Sequence, residues 1–308
     1  MRQILLMLLL FWSVFVNAKS ITTEFSFTPF VGDHLKSPHV EIVPGKVEVF
    51  LNNVPIVIDE IKQKTVQVLF DDRQIAAPLW MPMNLMGPSL RRGNNILRIE
   101  FEPTNNQLLY SAQLRWATIT DTVIEKQSQN SVSATNQTNK ESELKSTKGR
   151  VILERPFEAN FAKDRPWHHY LPVKILTVED KQALTNLVNN RIEVYKPNFG
   201  KLYELLNTIE NFNVAEIQNA KCLDKAYAAG VRVQPPASEQ LEFITTGNAE
   251  IVIRRQGKIP LYNFVIPESL KKAKNSDFMW CASMALSQIY PPRLVFVRTP
   301  TGVWEAIH

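Results

Sequence analysis

Glycine is scarce in this chain, 10 residues of 308, and cysteine scarcer, at 2. The glycines are also scattered. No G-x-G-x-x-G and no G-K-[ST] occurs, so a backbone cradle for nucleotide phosphates is unsupported. H-E-x-x-H, C-x-x-C and G-x-S-x-G are missing as well. With them go the sequence signatures of zinc peptidases, thioredoxin-like exchange and nucleophile-elbow hydrolases. Nor is charge of one sign concentrated anywhere. The formal net charge is +5, of which −2 falls in 19–125, +2 in 126–149 and +4 in 150–308. Lys and Arg alternate with Asp and Glu, and only 271-KKAK-274 and Arg254–Arg255 are locally basic. Binding to nucleic acid needs clustered cations that displace counterions from phosphates, so no such partner is expected.

A long apolar run occurs only at the start. Arg2 precedes Ile4 to Val16, a stretch of 13 residues interrupted once, by Ser13, and Val16-Asn17-Ala18 follows. This is the pattern of a secretory signal, residues 1–18, cleaved after Ala18. The run is shorter than the roughly 20 residues of a spanning helix. No cysteine follows it to carry a lipid, and no later segment is long and apolar enough to span. The expectation is a periplasmic or secreted protein with no transmembrane segment after signal cleavage.

Polarity marks the next boundary. In 126-KQSQNSVSATNQTNKESELKSTK-148, 14 of 23 residues are Ser, Thr, Asn or Gln. Such a stretch buries too little surface to offset its chain entropy, so residues 126–149 read as a flexible polar linker. Before it, over 19–125, the pattern is β throughout: 46-KVEVFLNN-53, 54-VPIVI-58, 65-TVQVLFD-71, 73-RQIAAPLW-80, 95-NILRIEFEP-103 and 107-QLLYSAQLRWATIT-120, separated by turn formers such as Asn52-Asn53 and Gly93-Asn94. Short strands at this spacing indicate an all-β antiparallel sandwich. The stretch 90-LRRGNNILRIEFEP-103 resembles the strand entry of bacterial Ig-like accessory domains.

After the linker, over 150–308, the period changes. Residues 150–175 read as irregular, with a strand over 171–177. Thr177 caps a helix with Asp180 three residues on, and Leu184, Leu187, Val188 and Ile192 form its stripe. Pro197 opens a second helix. Asn213 caps a third, 214-VAEIQNAKCLDKAYAA-229, stopped by Gly230. Strands over 240–246, 249–255 and 258–266 follow, then the helix 277-DFMWCASMALSQIY-290, then strands over 293–299 and 303–307. This is α+β, helices packed on an antiparallel sheet. The element order and the closing 298-RTPTGVWEAI-307 resemble the SnoaL-like, nuclear-transport-factor-like cones, with the helix over 277–290 an addition to that pattern. The resemblance implies an apolar pocket between sheet and helices, hence a small apolar ligand in this domain. The Asp–His pocket pair of enzymatic members has no counterpart at a matching position.

Three groups of residues invite chemistry. Asp164, His168 and His169 in 164-DRPWHHY-170 offer an acid–base pair or metal ligands, although adjacent histidines on a strand face opposite ways; the plainer reading is an aromatic segment docking the linker onto the second domain. Met81, Met83 and Met86, joined by His34 or His39, offer soft ligands for Cu(I), against the ordinary use of methionine as gap filler. Cys222 and Cys281, in an exported chain, suggest a disulfide between the third helix and the helix over 277–290; two separate buried thiols are the alternative. A helix that is apolar nearly all round is buried, which makes Cys281 an inert thiol rather than a nucleophile. No cofactor is expected. The reading carried forward is an exported, non-catalytic binding or adaptor protein of two modules, meeting a protein or glycan at the cell envelope. An enzyme using the second domain and a periplasmic copper-binding protein are the alternatives.

Overall fold

The computed structural model describes residues 19–33, 39–67, 75–123, 133–209, 212–272 and 277–307. The expected signal, residues 1–18, and His34 lie outside them. Ten strands come first: β1 (Lys19–Val31), β2 (His39–Ile42), β3 (Gly45–Leu51), β4 (Val54–Ile61), β5 (Thr65–Gln67), β6 (Leu79–Pro82), β7 (Gly93–Pro103), β8 (Leu109–Val123), β9 (Ser133–Lys148) and β10 (Val151–Ala159). They form two antiparallel sheets, ordered β5-β2-β1-β8-β9, with β6 also on β1, and β10-β7-β3-β4. Alternation sends Phe25 and Phe27 of β1, Val47 and Val49 of β3, Ile99 and Phe101 of β7 and Leu114 of β8 into one buried cluster between the sheets. The Phe27 and Phe101 rings meet there at 5.6 Å.

The expected linker is the main correction. From Ser133 to Lys148 it is a strand, paired antiparallel along β8 from Leu109↔Lys148 to Val123↔Ser133. Residues 124–132 lie outside the described residues. The polar composition is compatible with this because β9 is an edge strand. Its backbone bonds to β8 supply the cohesion, and most of its described side chains are open to water, so it need not bury apolar surface. Residues 151–159 are not irregular either. β10 pairs with β7 from Val151↔Phe101 to Ala159↔Gly93, and Val151, Leu153 and Ala159 join the sandwich core. The β body therefore extends to about residue 162, not 125.

A second buried cluster begins at Val173. Its helices are α1 (Val178–Asn190), α2 (Gly200–Asn207), α3 (Val214–Ala220) and α4 (Cys222–Ala228). Thr177 caps α1: its hydroxyl accepts from the Asp180 N–H, and the Asp180 carboxylate accepts from the Thr177 N–H. The single helix expected over 214–229 is two, because Lys221 adopts φ 49° between α3 and α4. Then come β11 (Arg232–Gln234), β12 (Leu241–Thr245), β13 (Glu250–Arg255), β14 (Asn263–Val265), α5 (Glu268–Lys272), α6 (Asp277–Ile289), β15 (Arg293–Arg298) and β16 (Trp304–Ile307). The four-stranded sheet is β12-β13-β15-β16, and β14 pairs with β11 instead of joining it. Residues 171–177 form no strand.

Leu241, Ile251, Ile253, Leu294, Phe296 and Trp304 turn one face of that sheet toward the helices, where they join Leu184, Leu202, Leu206, Leu223, Ala285 and Ile289 in one contiguous cluster. The alternate residues point the other way. Glu250, Val252 and Arg254 of β13 face the sandwich, as the ion pairs of Glu250 with Arg91 and of Arg254 with Glu48 make plain.

Candidate functional site

A short 3-10 turn, Pro166–His169, sends its two histidines to different surroundings. The His168 side chain is 4 % exposed. Its Nε2 lies 3.0 Å from the Pro88 carbonyl, and its Nδ1 accepts from the Arg165 N–H at 3.3 Å. Both bonds are made by the neutral imidazole protonated at Nε2. Desolvation, aided by the Arg91 charge, holds this imidazole below its usual range; the Pro88 bond, Glu250 and Asp164 oppose the shift. His169 points to solvent. Its Nε2 lies 3.0 and 2.9 Å from the Asp164 oxygens, with His169 69 % and Asp164 53 % exposed. The hydrogen bond from His169 keeps the Asp164 carboxyl below its ordinary value. The acid–base contact is thus Asp164–His169, not Asp164–His168, whose nearest approach is 3.7 Å. Both members of that pair stand in water.

The 164–170 segment does dock two bodies, but the body it meets is the sandwich. The Arg91 guanidinium donates to both Glu250 oxygens, at 2.6 and 2.7 Å, and to the His168 carbonyl at 3.0 Å. Arg91 is set in place by Asn95, whose side-chain oxygen accepts from the Arg91 N–H while its amide donates to the Arg91 and Gly93 carbonyls. Asn95 belongs to the strand entry noted in the sequence. Alongside, Arg254 bridges Glu48 of β3 and Glu242 of β12, and Arg293 donates to the Ile56 carbonyl on the outer strand β4. The Asn52–Asn53 turn, with φ 53° and 66°, is the tight hairpin the sequence indicated. It also reaches across: Asn53 donates to the Thr246 carbonyl, and Asn248 donates to the Asn52 carbonyl. The second body thereby covers a sheet edge that would otherwise be exposed.

Beside these contacts lies a cavity of about 210 Å³, lined from the sandwich by Val54, Ile56 and Pro88 and from the second body by Pro291, Val295 and Ile307. Arg293 is part of its wall. Burial lowers the Arg293 pKa to about 10, with Glu48 opposing and Arg254 reinforcing that shift.

The other candidates disperse. Met81 and Met83 are fully buried in the sandwich core, whereas Met86 lines the junction cavity, so the three do not meet on one open surface. The His39 backbone is in β2. Among the described residues no group of three or more His, Cys, Asp or Glu is placed to hold a metal ion. A disulfide joins Cys222 at the start of α4 to Cys281 on α6, with Cα atoms 6.0 Å apart. Helix α6 is not apolar-buried all round: Ala282, Ala285, Leu286 and Ile289 are inside, while Trp280 stands in solvent. Among the described residues no helix is long and apolar enough to cross a membrane.

The stretch expected to form a strand over 171–177 carries a surface feature instead. In 171-LPVKILTV-178 the side chains of Leu171, Ile175 and Val178 are 86, 83 and 78 % exposed. Val173 and Leu176 of the same stretch pack on the core. The Val173 N–H donates to the Asn248 carbonyl at 2.9 Å, and the cap at Thr177 fixes the other end. The apolar density that suggested a strand is instead divided between core and solvent.

Comparison with protein-family models, with curated proteins and with solved structures returns no match.

Proposed function

We propose that this is an exported, non-catalytic binding protein that meets a protein partner at the cell envelope. The observation that carries the reading is the apolar ridge at 171–178. Three large side chains stand in water within eight residues, on backbone pinned at both ends. Apolar density of this kind marks contact surfaces, and a backbone already fixed loses little further entropy on association. Export is supported by the leader pattern and by the disulfide, which persists in oxidising compartments. The Ig-like and cone-like resemblances fit the reading, since both folds serve as carriers of binding surfaces. The two bodies act as one rigid platform, not as separately tethered modules.

A photo-crosslinking residue at position 175, compared with one at the exposed Lys181, tests this in cells. A discrete adduct at 175 that disappears in L171S/V178S is the expected result. If position 175 yields no adduct and L171S/V178S complements a deletion fully, while D164N/H169Q does not, the enzymatic alternative replaces the binding one.

A further inference from the structure

The geometry points to the junction cavity as a binding site for a small organic monocarboxylate with an apolar body, held at its head by Arg293. Size comes first. At about 210 Å³ and partly open to solvent, the pocket has room for the body of a small branched or aromatic acid. The lining comes second. Val54, Ile56, Pro88, Pro291, Val295 and Ile307 present methyl groups and proline rings, with Gln288 supplying an amide. Few polar groups in an apolar wall is the usual make-up of a small-molecule site.

Charge decides the class. Three arginines stand at this junction, and two have carboxylates of their own. Arg91 takes both oxygens of Glu250, and Arg254 takes Glu48 and Glu242. Arg293 donates one nitrogen to a carbonyl, that of Ile56. Among the described residues no carboxylate lies within ion-pair distance of it. Glu48, whose charge reaches Arg293, is ion-paired to Arg254, so the partly desolvated Arg293 guanidinium keeps donors for a ligand carboxylate, which it can take through two parallel bonds. Among the described residues Arg293 is the junction arginine without an ion pair, and one such cation matches one negative charge. A phosphate dianion would ask for Arg254, which is engaged. The site is independent of the ridge at 171–178, and either can fail alone.

The test uses the full chain, 4-methylpentanoate as probe and 4-methylpentanamide as its uncharged twin. Amide resonances of Ile56, Arg293 and Val295 should shift with the acid, and the amide should bind about tenfold more weakly, the factor one lost charge-assisted contact of ~1.4 kcal/mol gives. R293Q should erase the preference for acid over amide. Because R293Q also removes the bond to Ile56, V295F serves as a second variant: it fills the cavity, keeps the arginine, and should abolish binding of both probes with the fold retained. Equal binding of acid and amide, acid-induced shifts confined to other regions, or unchanged binding in folded V295F would overturn the assignment.

Discussion

His168 is a residue whose protonation state is written into its contacts. The neutral ring donates from Nε2 to Pro88 and accepts at Nδ1 from Arg165. A second proton at Nδ1 would face that same N–H. The charged groups around it pull both ways: Glu250 and Asp164 favour the cation and Arg91 opposes it. Arg91 repels it, and the Glu250 oxygens that would attract it are both occupied by Arg91. Asp164 is held by His169. The folded pKa is therefore depressed, chiefly by desolvation. Between that value and about 6.5, the ordinary histidine value, the unfolded chain binds a proton that the folded chain does not. Acidification through this window must favour unfolding. The expected outcome is a melting temperature that falls more steeply with acid in the native protein than in H168Q, whose amide can still donate to Pro88. Thermal melts from pH 7.5 to 5 compare the two, and identical slopes would assign the acid sensitivity to carboxylates alone.

Among the elements, local signals are legible in the sequence and long-range ones are not. The Thr177–Asp180 cap, the Asn52–Asn53 hairpin and the Gly230 stop are set by neighbours in sequence, and all three are present. The break at Lys221 and the pairing of β14 with β11 depend on tertiary contacts, so periodicity did not reveal them. Strand β9 is the sharpest case. Its Ser, Thr and Asn side chains argue for a coil when judged by burial, yet the pairing partner β8 satisfies the backbone regardless of what the side chains prefer. Hydrogen exchange distinguishes the two states. Amides of 133–148 directed at β8 should exchange slowly, those directed outward quickly, in a period of two. Uniformly fast exchange through 133–148 would restore the linker. The functional residues follow the same rule. The segment 164–170 stands out by composition, but Arg91, which binds it, is 77 residues before His168, and Glu250, which binds Arg91, is 159 residues after Arg91; no local pattern links them.

For the molecule as a whole, the question is whether two cores behave as one cooperative body. A flexible tether would let them unfold independently. The junction described here couples them instead through Arg91–Glu250, Arg254–Glu48, Arg293 with Ile56, and the paired asparagines of the turn. Glu250 is the sensitive point, being 1 % exposed in its side chain. A buried ion pair adds little net stability against an apolar replacement, but removing one member strands the other charge and costs about 3–5 kcal/mol. Calorimetry of the native chain should therefore give one transition. R91A and E250A should each lower it, and the double variant R91M/E250M should recover much of the loss because neither charge is then left unpaired. If E250A instead splits the trace into two transitions, the coupling runs mainly through this pair; if it merely shifts a single transition, the apolar and backbone contacts of the junction suffice to hold the bodies together. Two transitions in the unaltered chain, both indifferent to E250A, would mean that the cores are tethered and not joined; the junction cavity, which takes its walls from both bodies, would then not persist in solution, whereas the ridge at 171–178, held within the second body, would.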